Sequence, residues 1–340
     1  MNPFVEEGKG RLRALWRLAI QYLAYRVLVL LFFNLLLVAW LLADSGGQMA
    51  SGGLDASAVS GSSALPLLSG VAGLSAAILT VWLAGRFLDR RPFSAFGFRL
   101  GAGWWLDLCF GMVLGALLMT IVFLVELSLG WVRVTGAFET YGTNTPFAVS
   151  MLLPTAAFLC VGVYEEMVFR GYQLKNAAEG LNHPALGPRS AILLAWFLSS
   201  VFFAVLHADN PNATPISTLN IILAGLMLGF GYVLSGELAI PIGLHITWNL
   251  FQGAVYGFPV SGFGAFGPTL LTTEQGGPEL WTGGSFGPEG GLLAPAVMLL
   301  GMSLVALWTR LRTGNISLHT PIAESPSRDR PHIPPQRNRA

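Results

Sequence analysis

Charge is what this sequence lacks most. Only 11% of its 340 residues are Asp, Glu, Lys or Arg, against about a quarter in an ordinary soluble domain. With 53% apolar residues beside them, so few charges cannot cover the surface of a water-soluble fold. A basic excess is missing too. The net charge is +1, so nothing is built to neutralise a phosphate backbone, and nucleic acid is not an expected partner. Cysteine is almost absent, and Cys109 and Cys160 each sit in a strongly apolar stretch. There a thiol is a small buried hydrophobe, so neither a disulfide nor a Cys-based metal site is expected. No repeat of fixed period occurs, and Arg337 to Ala340 do not form a prenylation signal.

Long apolar runs, by contrast, are abundant. A helix needs roughly 20 such residues to cross a bilayer, and eight segments approach or exceed that length: about 27–43, 64–85, 104–129, 148–175, 190–208, 216–234, 238–256 and 292–309. They predict an all-α, polytopic transmembrane helix bundle of about eight spans. Arg11, Arg13, Arg17 and Arg26 form a positive flank before the first run. No A-x-A pattern follows it, so an uncleaved first helix is expected.

Basic residues alternate from loop to loop, and Lys and Arg are retained on the cytoplasmic side. The N-terminal segment is basic, 44–63 has no Lys or Arg, and the next loop carries Arg86, Arg90, Arg91 and Arg99. Only Arg133 follows on the other side. Arg170, Lys175 and Arg189 then contrast with 257–291, which holds Glu274, Glu279 and Glu289 and no basic residue, and the tail returns with Arg310 and Arg312. The expected location is a bacterial plasma membrane, with both termini cytoplasmic. Residues 45–63 and 257–291, rich in Gly, Pro and Ser, are expected to be exposed loops. The division expected is an N-terminal segment 1–99 with two transmembrane helices, a core 100–312, and a disordered tail 313–340 rich in proline.

Ionisable groups inside membrane spans are expensive and are functional candidates by default. Three clusters stand out. In Tyr164-Glu165-Glu166-Met167-Val168-Phe169-Arg170, Glu166 and Arg170 are four apart in the favourable order for an ion pair, while Glu165, about 100° round the helix, faces elsewhere. Phe203 and His207 end the fifth run, and His245 and Asn249, four apart, share a face of the seventh. A glutamate in an apolar cavity is pushed toward the range where it works as a general base on water. Glu165 and His207 suit that task, and His245 and Asn249 offer N–H donors for an oxyanion, worth about 2.7–4 kcal/mol for one donor in a known case. No serine or cysteine is placed as a nucleophile. For Glu165 to meet His207, the fourth helix must run on to about residue 177, and the fifth must tilt.

The order Glu165-Glu166-x-x-x-Arg170, Phe203-x-x-x-His207, His245-x-x-x-Asn249 resembles the three motifs of the CAAX prenyl protease and bacteriocin-processing (CPBP) family of intramembrane endopeptidases. The likeness covers roughly residues 100–310 and marks that stretch as a CAAX-protease-like core. It implies Glu165 as catalytic glutamate, His207 as its partner on water, His245 and Asn249 as the oxyanion site, and Glu166, Arg170 and Phe203 in support. It also implies a membrane-anchored or lipidated protein or peptide substrate, prenylated CAAX-type in eukaryotic members, entering from the cytoplasmic side or laterally. These residues fix no cofactor, and a divalent metal such as zinc is permitted.

Other readings use the same groups. A zinc-type ion held by Glu165, His207 and His245 is permitted by residue type, although no H-E-x-x-H pair is present. A transporter's proton relay predicts paired, broken, inverted helices, and no such symmetry is visible. A non-catalytic immunity protein would retain costly buried polar groups without purpose. Bland readings suffice elsewhere: His183, His319 and His332 as solvated residues, Asp107 and Glu126 as groups able to reach water, Trp104 and Trp105 as an interfacial belt. Gly225, Gly229 and Gly231 serve helix packing.

Overall fold

A computed structural model of the chain describes residues 3–6, 10–44, 64–140, 145–264 and 267–326. Among them seven helices are long and apolar enough to cross a membrane. They are α1 Ala14–Asp44, α2 Leu65–Asp89, α3 Ala102–Ser128, α4 Phe147–Leu181, α5 Gly187–His207, α6 Pro215–Ser235 and, after a shorter α7, α8 Leu293–Thr313. Local chemistry sets several boundaries. Thr214 and Ser217 form a reciprocal capping box ahead of α6, and Gly236, left-handed at φ 72°, ends it. Leu23, Leu31 and Leu35 on α1 and Val113, Leu117 and Leu124 on α3 are exposed, as lipid-facing residues must be.

The expected eighth span, 238–256, takes a different form. Helix α7, Ala239–Leu250, has 12 residues and continues as a π turn, Phe251–Val255. Its α-helical part is about 18 Å long, and every residue from Ala239 to Asn249 is buried. It is an internal post packed against α3, α4 and α6. The approach of α3 is close enough that a Cβ at Gly111 or Gly115 would strike the carbonyl oxygens of Ile240 or Leu244, the close backbone packing that small residues allow in membranes.

On the arginine-rich face, α1 begins at Ala14, so Arg17 and Arg26 lie within the first helix rather than before it. Arg17 is wholly buried. It pairs with Asp89, donates to Asn176 Oδ1 at 2.5 Å, and reaches Glu179 at 3.1 Å. Glu179 also receives Arg11, and Arg91 at 2.5 Å. Burial lowers the Arg91 pKa to about 10, which leaves it a cation at neutral pH. One carboxylate near the end of α4 thus gathers the N-terminal segment, α1 and the α2–α3 connection. The start of the expected disordered tail packs here as well. Ile322 and Ala323 are buried, Asn182 donates to the Ala323 carbonyl at 3.0 Å, and the His319 amide donates to Val233 O at 2.8 Å. His319 is half-buried rather than solvated, and burial lowers its pKa. Residues 327–340, with His332, lie outside the described residues, as does 45–63.

The opposite face carries structure where exposed loop was expected. Strands β1, Val132–Glu139, and β2, Thr269–Gln275, pair antiparallel, a small addition to an otherwise helical bundle. Phe258, Val260, Phe286 and Glu289 are buried. Asn220 of α6 donates to the carbonyls of Glu289 at 2.9 Å and Gly291 at 2.8 Å, tying this cap down. Glu126, expected to reach water, is wholly buried and accepts from Gln275 Nε2 at 3.0 Å. Trp104 also departs from a belt position: it is buried and donates to Gly97 O at 2.9 Å, while Trp105 is exposed.

Candidate active site

Helix α4 continues past the glutamate pair to Leu181, the condition for Glu165 to lie deep. It does so through a π turn, Met167–Leu174, entered directly after Glu166 and buried throughout. Such turns recur at functional positions because they re-aim side chains without ending the helix. Across the turn, Arg170 Nη1 donates to Glu166 Oε1 at 2.9 Å, realising the four-residue spacing. Both residues are buried, and the second guanidinium nitrogen donates to the Gly225 carbonyl at 3.2 Å.

The structure adds a partner that spacing did not suggest. His245 Nδ1 lies 2.8 Å from Glu166 Oε1. A carboxylate oxygen that already accepts from arginine can only accept again, so Nδ1 carries the proton. The other ring nitrogen, Nε2, points toward Glu165, 3.8 Å from its Oε2. The glutamates therefore take opposite sides of one imidazole. Glu166 is sealed off with a side chain at 0% exposure, and Glu165 keeps 14%. Tyr164 donates to Glu165 Oε1 at 3.3 Å.

Phe203 is the hub between the motifs. Arg170 stacks on its ring at 4.6 Å, and its centroid lies 4.4 Å from that of His207 and 6.5 Å from that of His245. Its carbonyl accepts from His207 Nδ1 at 2.8 Å, so in the neutral ring Nδ1 carries the proton and Nε2 is the acceptor. Among the described residues no hydrogen bond or ion pair joins Glu165 to His207, and none engages the Asn249 carboxamide. Glu165, His207, His245 and Asn249 instead line one cavity of about 1840 Å³. No group of three or more His, Cys, Asp and Glu among the described residues is disposed to hold a metal ion, so the trio Glu165, His207 and His245 does not form a ready zinc cage.

This cavity reaches one end of the bundle. Its lining runs from Glu165 outward to Thr140, Thr145, Asn210, Ser261 and Pro268 beside the β1–β2 face. None of the lining comes from the connections 90–101, 182–186 or 236–238 on the arginine-rich face. The lining thus reaches the face opposite the arginine-rich connections; entry from the cytoplasmic side or laterally between helices was expected, and lateral entry agrees with this lining.

Residues 147–251 match the family model described as type II CAAX prenyl endopeptidase Rce1-like. The resemblance read from the motifs holds. The Rce1-like segment runs from α4 to the end of α7 and includes all the motif residues. It leaves α1–α3, the strands and α8 outside. The chain is also 26% identical over 211 residues to a Bacillus subtilis (strain 168) protein named Uncharacterized protein YyaK, covering 60% of this chain. It spans about 65% of the length of that relative. No solved structure matches the chain. The match is one of family over that segment, in a bundle whose seven apolar helices make it an integral membrane protein.

Sequence reasoning missed two lining residues. Glu289 sits in the cap and accepts from Trp248 Nε1 at 3.2 Å, the Ser261 amide at 2.8 Å and Ser261 Oγ at 2.9 Å. It couples the cap to α7 beside His245 and Asn249, and no local pattern separates it from a loop carboxylate. Arg26 was grouped with the basic flank, yet it lines the cavity.

Proposed function

We propose that the chain is an intramembrane endopeptidase in which Glu165 activates water against a peptide bond. The carrying observation is that Glu165, His207, His245 and Asn249 share one cavity inside the bundle, while Glu166 is consumed by Arg170 and His245. Glu165 takes a proton from water, and the lone pair on His207 Nε2 accepts the second water hydrogen and aims the oxygen. As the carbonyl becomes tetrahedral, Asn249 Nδ2 donates to its oxygen. His245 donates from Nε2 as imidazolium, its charge balanced by the flanking glutamates. The proton on Glu165 passes to the leaving amine as the C–N bond breaks. Donors aimed at developing charge in a site screened from bulk water are worth more than in water.

Because the arginine-rich face is the cytoplasmic one, the cavity opens outward or sideways. We assign both termini to the cytoplasm and the substrate to a membrane-anchored or lipidated chain presented from the outer side, in a bacterial plasma membrane. The test is cleavage of membrane-anchored peptides by reconstituted protein. Glu165→Gln should abolish it, about 10² or more in rate for loss of a general base, without changing the unfolding midpoint. Full cleavage by that variant would sink the glutamate mechanism.

A further inference from the structure

We propose that the open edge of β1 binds the substrate peptide as an added strand and guides it into the cavity. This rests on the peptidase reading of that cavity. The β1–β2 ribbon has only two strands, so each has an edge outside their pairing. β2 packs on the chain after α7, where Thr273 Oγ1 donates to Tyr256 O at 2.8 Å. β1 is open by comparison. Arg133, Val134, Thr135, Ala137, Phe138 and Glu139 are exposed, and among the described residues no backbone hydrogen bond outside the ribbon engages Val132–Glu139. A row of unpaired N–H and C=O groups of this kind is a template for another chain.

The place of this edge in the fold selects the occupant. Thr140, which follows β1, and Pro268, which precedes β2, both line the cavity that holds Glu165. Phe138, left-handed at φ 58°, turns the end of the strand and sets its ring edge-on to Phe147 of α4 at 5.1 Å; a bulky residue rarely adopts that conformation. A substrate span arrives as a helix with its backbone groups bonded internally, and offering a peptide bond to Glu165 unwinds it and frees those groups. The open edge supplies partners for them at the cavity mouth. A second copy of the chain fits less well. Thr135 is an extra residue between the paired Val134 and Gly136, and such a bulge bends the strand. Two rigid β1 strands would meet bulge to bulge, whereas an unwound peptide follows the bend. The regular stretch nearest the cavity is Gly136–Glu139. Phe147 precedes Glu165 by eighteen residues of α4, about 27 Å. At up to about 3.6 Å per extended residue, about eight residues separate the paired segment from the bond that is cut.

The experiment measures binding to the Glu165→Gln protein in phosphatidylcholine nanodiscs. The probe is a lipid-anchored fluorescent peptide of Val, Thr and Ser in non-repeating order, with backbone N-methylation scanned along it one amide at a time. Methylation removes a donor and keeps the side chain, and in an antiparallel ladder alternate residues face the partner strand. Binding should therefore weaken about tenfold at every second position of the paired segment, as for a lost backbone hydrogen bond, and change little between them. On the protein, one of Gly136→Pro and Ala137→Pro removes an N–H that faces away from β2. Amide exchange at their partners Thr272 and Leu271 shows which variant keeps the ribbon. That variant should weaken the unmethylated peptide about tenfold and erase the alternation. No binding, binding without alternation, or alternation unchanged in the variant with an intact ribbon would overturn the proposal. So would a disulfide between two copies of Thr135→Cys, lacking Cys109 and Cys160, that the peptide does not suppress, since it would give the edge to a second copy. Because the readout is binding, failure of the unmodified protein to cleave would refute the peptidase reading and leave the strand site standing.

Discussion

Removing the charge of Glu166 should unfold this bundle before it slows any chemistry. Glu166 Oε1 receives both Arg170 at 2.9 Å and His245 at 2.8 Å, and Oε2 has no partner among the described residues. Glu166→Gln keeps the shape and leaves Arg170 charged and buried against a neutral oxygen. Breaking a buried pair costs about 3–5 kcal/mol. The lower end applies, since Arg170 keeps the Gly225 carbonyl and the face of Phe203. Arg170→Met should lose a similar amount by stranding the carboxylate. Together the substitutions remove both charges, so the double variant should lose little more than either single one, a coupling of about 2–3 kcal/mol. Denaturant titration of the four proteins in mixed micelles measures this cycle. Additive losses, with coupling under about 0.5 kcal/mol, would refute the buried pair and the division of labour between the two glutamates. A second readout follows. The double variant should match the single variants in stability and cleave no faster than they do, because His245 has lost the charge that holds its Nδ1 proton.

Glu289→Gln should lower cleavage by about tenfold or more through α7, since it weakens charged hydrogen bonds to Trp248 and Ser261 worth roughly 1.5–3 kcal/mol each. Cleavage at the parental rate would leave the cap without a role in the site. For orientation, cysteines placed singly at Ser261 and Arg189 in a background lacking Cys109 and Cys160 report on the two faces. A membrane-impermeant thiol reagent should label the first in intact cells and the second only after permeabilisation, and the reverse pattern would invert the assignment of substrate side.

Much of this was legible because the relevant interactions are local or periodic. Glu166 and Arg170 are four apart and do pair, and depth counted from helix rise alone required α4 to continue beyond Arg170, as it does. The buried post was not legible: α7 is apolar on all sides, and hydropathy does not separate a helix surrounded by protein from one surrounded by lipid. The start of α1 was misjudged for a related reason. Arg17 resembles a flanking charge until Asp89 and Glu179, 72 and 162 residues away, are brought to it. The β1–β2 pair joins segments more than a hundred residues apart, and Glu289 gains its meaning only from Trp248 and Ser261. Long-range partners, not residue types, were the missing information.

The π turn in α4 has a mechanical consequence. A straight α-helix carries one angular phase from end to end, so the face that aims Glu165 into the cavity would dictate where Glu179 points at the arginine-rich end. An i→i+5 stretch admits an extra residue, and each residue of an ordinary helix advances by about 100°. The turn acts as a phase shifter between two segments of one rod, letting the outer half serve the cavity and the inner half the arginine cluster. Lengths of chain on either side of Met167–Leu174 are thereby freed from a common register, and the two ends of α4 can change independently.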